Sequence, residues 1–243
     1  KKNFMNLLTK FIKLLKNKKT RSGLYNNIAA NIELEDLIKD LKFETVLDIG
    51  SNKGQFILLV KKIFIDKKIF YSFEPIYEMI KKQQRFFSNK KNIFFFNFAL
   101  GRGFETKKFN ITNRKDSSSF LEINDAIKNN DHKINEKRNV EIKPLNNVID
   151  VNNLIKPILI KIDVQGYEFE VLKGSDDILK LTKYIIIEVS ENEIYKGQSL
   201  ANEIIEYLKN FNFTIKKETK PYKISGSDFK QKDILFTNEM LNE

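Results

Sequence analysis

The sequence predicts an α/β fold in which a mostly parallel sheet carries helices on both faces. Short apolar runs alternate with helical patterns from residue 44 onwards, and the first run ends in a carboxylate and a glycine turn. The chain has 243 residues, of which 41% are hydrophobic, enough for one large core. It has no cysteine and one histidine, which excludes a disulfide framework, a thiolate metal site and a multi-histidine zinc cluster.

Residues 1–40 predict an N-terminal helical extension, and residues 41–243 the main domain. Residues 4–15, FMNLLTKFIKLL, have the apolar spacing of an amphipathic helix, with lysines between the apolar positions. This helix could lie on an anionic membrane, pack on its own domain or contact a second subunit of a homo-oligomer. No apolar run is long enough to span a bilayer and no secretory signal is visible. We therefore expect a cytoplasmic protein, with peripheral contact at the inner face of the membrane as an alternative.

From residue 44 the elements follow in the order strand, helix, strand, helix. The apolar runs are typical of buried parallel strands, and the last two predict an antiparallel hairpin that closes the sheet. The predicted strands are ETVLDI (44–49), KIFYSF (68–73), NIFFFNF (92–98), ILIKID (158–163), YIIIEV (184–189), FNFTIKK (211–217) and DILFTN (233–238). The predicted helices are 53–65, 75–87 and 200–210.

An insert at about residues 104–143 interrupts this alternation. GRGFETKKFNI and NVEIKPL predict two extra strands at its ends. Between them, residues 112–139 are polar and Asn-rich, with a weak helical patch near 120–128. Such a long irregular segment inside a compact domain is usually a lid, a binding loop or a disordered segment.

A glycine turn follows the first predicted strand, in the order Asp48, Gly50, Ser51, Asn52 and Gly54. Its G-x-x-x-G spacing departs from the dinucleotide fingerprint G-x-G-x-x-G. A carboxylate here would repel a pyrophosphate but attract a cationic or amino-bearing ligand, directly or through water. The glycines let the backbone approach that ligand closely. We therefore predict that these five residues bind a cofactor; the alternative is a plain turn with a helix cap.

A second carboxylate, Glu74, ends the next predicted strand. An acidic residue about 20 residues past a glycine turn is the ribose-binding position of Rossmann-like folds, because a carboxylate accepts hydrogen bonds from both hydroxyls. Pro75 then predicts a helix that begins at this residue. Asn97 and Ala99, at the end of the third strand, could flank a base, although Asn97 could equally be a turn residue. A nucleoside with a positive centre and no pyrophosphate is consistent with S-adenosylmethionine.

Asp163 and Glu188 end two further apolar strands. The carboxyl ends of parallel strands line the ligand crevice of an open sheet, so these two side chains are catalytic candidates, and Asp163 is also a cofactor-binding one. Together they could form a general base with its orienting partner, or oxygen ligands for a divalent metal. Asp163 as a simple turn cap is the alternative. His132 lies in the irregular insert between charged neighbours, and we expect it at the surface.

Seven motifs together identify a family resemblance: VLDIGSNKGQF, FEP, NFALG, DSSSF, IKIDVQGYEFEVLKG, IIIEVS and DILFTN. Their order resembles that of the FkbM family of S-adenosylmethionine-dependent methyltransferases, from about residue 44 to 238. The resemblance implies a class I methyltransferase Rossmann-like fold with a seven-stranded sheet, its last strand antiparallel. It also implies that the glycine turn holds the methionine end, Glu74 the ribose, and Asn97 and Ala99 the adenine. Ser118 of DSSSF would face the pocket.

The resemblance implies O-methylation of a sugar, glycan or secondary-metabolite hydroxyl, often in polysaccharide biosynthesis. The net charge of +11 leaves a nucleic-acid methyltransferase as an alternative. However, the sequence lacks an Asn/Asp-Pro-Pro-aromatic motif and a basic stripe interleaved with aromatics, so no nucleic-acid partner is expected. A third alternative is a non-catalytic scaffold that docks to a membrane or a partner enzyme through residues 4–15.

Overall fold

The computed structural model of the protein contains one eight-stranded sheet, formed largely by the apolar runs of the sequence. The structure describes residues 2–64, 67–88, 90–224 and 227–241, with side chains from residue 8. The strands in chain order are β1 (Thr45–Ile49), β2 (Ile69–Phe73), β3 (Ile93–Phe96), β4 (Ala99–Leu100), β5 (Glu105–Thr112), β6 (Ile134–Lys143), β7 (Ile158–Ile162), β8 (Tyr184–Ser190), β9 (Phe213–Glu218), β10 (Tyr222–Lys223) and β11 (Lys230–Asn238). The helices are α1 (Lys2–Lys16), α2 (Lys18–Tyr25), α3 (Glu35–Ile38), α4 (Gln55–Ile63), α5 (Tyr77–Phe86), α6 (Leu145–Val148), α7 (Glu168–Lys173), α8 (Asp176–Leu179) and α9 (Ala201–Lys209).

The large sheet has the spatial order β10-β11-β8-β7-β1-β2-β3, with β9 beside β11. Strands β1, β2, β3, β7 and β8 are parallel, and β11 runs antiparallel to β8, β9 and β10. The predicted class I methyltransferase Rossmann-like fold is thus confirmed, including the antiparallel C-terminal strands. This sheet has eight strands instead of the predicted seven, because the two-residue β10, which has no apolar run of its own, was not predicted.

Two apolar cores lie on opposite faces of this sheet. Leu47 of β1 packs in the core that includes α7, whereas Val46 packs in the core that includes α4. Neighbouring side chains of a strand point to opposite faces, so a strand that is apolar at every position needs cover on both sides. This accounts for the absence of an apolar-polar alternation in β1 and β7.

Two predicted helices begin later than expected. Helix α4 begins at Gln55 because Asn52 and Gly54 adopt left-handed conformations, with φ of 47° and 82°, that interrupt a right-handed helix. Helix α5 begins at Tyr77, so the prediction that Pro75 is its first residue was wrong. The preceding residue, Ile76, is extended and donates its N–H to Glu74 Oε1 over 2.8 Å.

The insert forms a second sheet. Strands β5 and β6 pair as a long antiparallel hairpin, and β4 joins the edge of β6. The predicted helical patch near 120–128 is a single 3-10 turn at Asp125–Ile127. Isolated bridges join Ser119 to β5, and Ile123 to Tyr195 in the loop after β8. The insert is therefore tied to the loop at the carboxyl end of the central sheet.

The N-terminal residues form two helices, α1 and α2. Leu14 of α1 is buried in the α4-side core, and the hydroxyl of Thr20 donates to the carbonyl oxygen of Leu14 over 2.6 Å. Asn17, between the helices, caps α2 by accepting from the N–H groups of Lys19 and Thr20. Within the described ranges, no helix is both long and apolar enough to cross a membrane.

Candidate active site

A cleft of about 440 Å³ opens at the carboxyl ends of the parallel strands. Three residues of the glycine turn line it, together with Glu74, Asp163 and Glu188, whereas the predicted cofactor residue Gly54 does not, because it packs against Gln83 and Phe87. The insert contributes the segment 114–118 and His132 to its wall. The volume is in the usual range of small-molecule sites, and the position is where ligands bind to open parallel sheets.

Asp48 lies directly behind the glycine turn rather than on the cleft surface. Its side chain is fully buried, and neither carboxylate oxygen has a hydrogen-bond donor among the described residues. Burial raises the pKa of Asp48 to about 6; the nearby charge of Lys161 acts against this rise. Two buried acceptor atoms without donors are costly. Because Asp48 does not line the cleft, a ligand ammonium group would act on these oxygens electrostatically or through a water, without direct contact.

Gly50 is required where the glycine turn passes the end of β7. Its φ is +75°, and a Cβ added to it would come within 1.9 Å of the backbone oxygen of Asp163. Ser51, by contrast, turns its hydroxyl inward, where it accepts hydrogen bonds from the buried Ser72 and Gln83 side chains. Ser51 thus stabilises the turn through its hydroxyl, and the residue also lines the cleft. Asn52 also lines the cleft, and its buried side-chain oxygen has no donor within the described ranges.

Glu74 is buried and held in a fixed orientation. Its Oε2 accepts the N–H of Asn52 over 2.8 Å, and its Oε1 accepts the N–H of Ile76 over 2.8 Å. Burial raises the pKa of Glu74 to about 7 despite these two hydrogen bonds. Each carboxylate oxygen can accept more than one hydrogen bond, so two vicinal hydroxyls could bind the same group.

The other predicted cofactor contacts divide into two groups. Pro75, Ala99 and Ser118 line the cleft, where Ile76 and Phe98 add apolar surface. Asn97 does not line the cleft, because its amide donates to the carbonyl oxygens of Glu74 and Pro75 over 2.9 and 3.0 Å. The turn-residue alternative for Asn97 matches this position. The hydroxyl of Ser118 accepts the N–H of Thr112 over 3.1 Å and so stabilises the insert.

Asp163 and Glu188 lie at neighbouring strand ends, as predicted, and one side chain connects them. The Gln165 amide nitrogen donates to Asp163 Oδ1 over 2.7 Å and to Glu188 Oε2 over 3.2 Å. Its amide oxygen accepts the Tyr195 hydroxyl over 2.8 Å, which fixes the orientation of the amide. Gln165 is itself left-handed, with φ of 58°, and the turn is held by Glu168, which accepts the N–H groups of Val164 and Gly166.

Lys161 is a buried cation beside Asp163, and it was not predicted from the sequence. Its Nζ lies 3.0 Å from Asp163 Oδ2, and its side chain is only 6% exposed, whereas that of Asp163 is 30% exposed. Burial alone would lower the pKa of Lys161, but the carboxylates of Asp163 and Asp48 hold it above the usual value. A single lysine within the apolar run ILIKID was the available signal, because a charged residue in a buried strand needs a partner.

Glu188 is surrounded by donors from the C-terminal strands. Tyr222 donates its hydroxyl to Glu188 Oε1, and Gln231 donates its amide to Oε2 over 2.9 Å. Burial, followed by the negative charge of Asp163, raises the pKa of Glu188 well above its usual range. Both carboxylate oxygens of Glu188 therefore have donors, from Tyr222 on one and from Gln165 and Gln231 on the other. Among the described residues, no group of three or more His, Cys, Asp or Glu side chains could hold a metal ion.

His132 was predicted to lie at the surface, and this prediction was wrong. Its side chain is 8% exposed and lines the cleft, because the insert folds back over the central sheet. Burial lowers the pKa of His132, which favours the neutral imidazole. Its Nδ1 is buried without a hydrogen-bond partner in the described part of the chain. The irregular sequence around His132 has no periodicity from which this burial could be predicted.

Several residues in and behind the cleft wall are consistent with S-adenosylmethionine. The unpaired carboxylate of Asp48 would attract an ammonium group, and Glu74 could accept from ribose hydroxyls. Ile76, Phe98 and Ala99 offer an apolar surface for a base.

The known proteins that this chain resembles in sequence or structure include methyltransferases. A solved structure, Methyltransferase FkbM from Methylobacillus flagellatus KT, aligns with a TM-score of 0.53 and 14% identity over 89% of this chain and 50% of that one. Hexuronic acid methyltransferase AglP of Haloferax volcanii is 27% identical over 96 residues, 36% of this chain and 40% of the relative. 2-O-methyltransferase NoeI of Sinorhizobium fredii is 40% identical over 53 residues, 22% of each chain. The matches to these two relatives thus span less than half of their lengths.

A family model, the Methyltransferase FkbM domain, matches residues 48–215. This range contains the glycine turn, Glu74, the insert and the Asp163–Glu188 pair, and it is more than half of the chain. The chain therefore belongs to the FkbM family of S-adenosylmethionine-dependent methyltransferases.

Proposed function

We propose that this protein is an S-adenosylmethionine-dependent O-methyltransferase that acts on a hydroxyl of a sugar-containing acceptor. One observation carries the proposal: a single cleft has residues suited to the cofactor together with the linked Asp163–Gln165–Glu188 array. The similarity to a hexuronic acid methyltransferase favours a sugar acceptor, and that to a 2-O-methyltransferase favours transfer to oxygen.

S-adenosylmethionine supplies a methyl group on a positively charged sulfur. The carboxylate of Glu74 orients the ribose, and the apolar side chains of Ile76 and Phe98 pack against the base. The buried carboxylate of Asp48 favours the positively charged end of the cofactor. These contacts fix where the reactive methyl group lies, and positioning of two reactants accounts for much of the rate of a direct displacement.

Asp163 is the base in this proposal. As the acceptor oxygen forms its bond to the methyl carbon and the carbon–sulfur bond breaks, the hydroxyl proton passes to the Asp163 carboxylate. The products are a methyl ether, S-adenosylhomocysteine and a protonated Asp163, which then loses its proton to water. Lys161 and Gln165 position the Asp163 carboxylate, and Glu188 accepts a second hydrogen bond from the same Gln165 amide nitrogen.

Cofactor choice is tested by titration calorimetry and thermal unfolding with S-adenosylmethionine, S-adenosylhomocysteine and NAD. A ligand at about 100 times its dissociation constant stabilises the folded state by roughly 2.7 kcal/mol. We expect this stabilisation from the first two ligands and none from NAD. A well-folded protein that binds neither of the first two would contradict the proposal.

The role of Asp163 is tested with Asp163→Asn, which keeps the shape of the side chain but removes its basicity. We expect turnover on a sugar acceptor to fall by about a hundredfold or more, while the affinity for S-adenosylhomocysteine changes little. The exposed Asp40→Asn is the matched control and should retain full turnover. Equal losses of turnover and cofactor affinity would assign Asp163 a structural role. The acceptor panel compares neutral hexoses, hexuronic acids and oligosaccharides, with release of S-adenosylhomocysteine as the readout.

A further inference from the structure

Helix α1 presents an apolar face to solvent. The face consists of Leu8, Phe11, Ile12 and Leu15, whose exposed fractions are 49%, 51%, 44% and 37%. These residues follow the i, i+3, i+4, i+7 spacing and so form one continuous stripe on the helix. Leu14, on another side of α1, is buried in the domain core. Helix α1 is thus held to the domain by one side, whereas a larger apolar side faces solvent. Exposure of four neighbouring large apolar side chains is unusual on a protein surface.

The positive charge of the chain is concentrated in the same segment. Residues 1–32 contain seven lysines, one arginine and no acidic residue, so they carry +8 of the total net charge of +11. The other 211 residues carry +3. Four of these cations, Lys13, Lys16, Lys18 and Lys19, have exposed side chains on α1 and at the start of α2. An apolar stripe on a helix whose charged residues are all basic is the composition of helices that lie in the surface of an anionic membrane.

The charge distribution also distinguishes between partners. A second copy of this chain, docked face to face on α1, would bring together two segments of +8 each, which repel one another. A nucleic-acid backbone would pair with the lysines but would leave the apolar face exposed to water. An anionic lipid surface satisfies both features, because acyl chains bury the stripe and the headgroups attract the lysines.

We propose that the α1 face docks this protein on an anionic lipid bilayer. The docking surface is linked to the segment that lines the cleft by an exposed ion pair. Lys10 Nζ of α1 lies 3.2 Å from Glu33 Oε2, and Asn31, two residues before Glu33, lines the cleft. A bilayer bound to α1 therefore lies on the side of the molecule next to the cleft wall, which favours acceptors presented at a membrane surface.

The test is flotation of the full chain with vesicles of two compositions. One contains three parts phosphatidylcholine to one part phosphatidylglycerol, and the other contains phosphatidylcholine alone. We expect binding to the anionic vesicles, little binding to the neutral ones, and weaker binding as salt is raised.

Two variants separate the apolar and the electrostatic contributions. F11S/I12S should weaken binding to anionic vesicles by at least about tenfold, since it removes two side chains that enter the acyl region. K13E/K16E should weaken it by at least about 25-fold, because each lysine near such a surface contributes about fivefold. All four positions are exposed, so both variants should keep the thermal unfolding temperature of the parent.

Matched controls place the same substitutions elsewhere on the surface. F104S/I155S changes two side chains that are 68% and 54% exposed, and K90E/K91E reverses two exposed lysines. Both controls should bind within about twofold of the parent. Three results would each overturn the proposal: no binding to anionic vesicles, equal binding to neutral vesicles, or a dimer in solution that F11S/I12S dissociates.

Discussion

Lys161→Met removes the positive charge next to the buried Asp48 and the partly exposed Asp163, and keeps most of the side-chain volume. Lys161 Nζ lies 3.0 Å from Asp163 Oδ2 and 3.5 Å from the carbonyl oxygen of Gly50. Its charge also acts against the raised pKa of Asp48. The substitution therefore leaves Asp48 and Asp163 as neighbouring negative charges without a cation between them.

The expected loss follows from burial and distance. At an effective dielectric constant of about 20, unit charges about 3 Å apart attract by roughly 5 to 6 kcal/mol. Removal of one partner of a buried pair typically costs about 3 to 5 kcal/mol. Because 30% of the Asp163 side chain is exposed and screened by water, we take the lower end, about 3 kcal/mol of unfolding free energy near pH 8.

The loss should depend on pH. The pKa of Asp48 rises from 3.8 to about 6 on folding. The resulting stability is fully present below 3.8 and is lost as the pH rises through about 6. Without Lys161 the folded-state pKa of Asp48 rises further, so the penalty for an ionised Asp48 grows at pH 8 and is largely relieved at pH 5. We therefore expect the destabilisation of Lys161→Met to be clearly smaller at pH 5 than at pH 8.

Urea unfolding at both pH values measures this difference. The matched control is Lys180→Met, because Lys180 pairs with Asp177 at a similar distance of 2.9 Å, but both side chains are more than 60% exposed. That control should show no resolvable change. The reasoning would be refuted if Lys161→Met cost no more than Lys180→Met at pH 8, or if its cost did not shrink at pH 5.

Two further predictions concern the glycine turn and Glu74. Gly50→Ala should destabilise the fold by about 3 kcal/mol or more, since left-handed strain of about 1 to 2 kcal/mol adds to a clash with the Asp163 backbone. Gly197→Ala, with a similar φ of +79° but open space around it, should cost only the strain, and equal losses in urea unfolding would contradict this account. For Glu74, whose pKa is about 7, affinity for S-adenosylhomocysteine should rise between pH 6 and pH 8 as the carboxylate ionises. Calorimetry should find this rise much smaller in Glu74→Gln, where only the part due to Asp48, whose pKa is about 6, remains; an unchanged pH profile in that variant would exclude Glu74 as its origin.

The sequence was sufficient to predict the sheet and the edge of the sheet at which the cleft lies. Buried parallel strands appear as continuous apolar runs, and carboxylates that follow them meet at one edge of the sheet whatever the loops do. For this reason Glu74, Asp163 and Glu188 could be predicted to line one crevice. The same logic could not show that Asp48 lies behind the turn, because strand position does not fix the side-chain direction at a strand end.

The remaining features depend on contacts between distant parts of the chain. Tyr222 and Gln231 reach Glu188 only because the C-terminal strands fold back along β8, and nothing in their local sequence marks them. His132 is buried by an insert whose polar sequence is typical of an exposed loop. The exposure of the α1 stripe was equally hidden, since periodicity indicates an apolar face but not what covers it.

The Gln165 side chain limits the path of the proton that Asp163 accepts in the proposed reaction. Hydrogen-bond polarity runs in one direction, from the Tyr195 hydroxyl to the amide oxygen, and from the amide nitrogen to both carboxylates. An amide in this arrangement donates and accepts but does not relay a proton between its two ends. A proton taken up by Asp163 thus has no conducting route into the protein through Gln165, and it must leave by the exposed edge of the carboxylate. In the proposed reaction, the return of Asp163 to its ionised form therefore requires that water reach this carboxylate between turnovers.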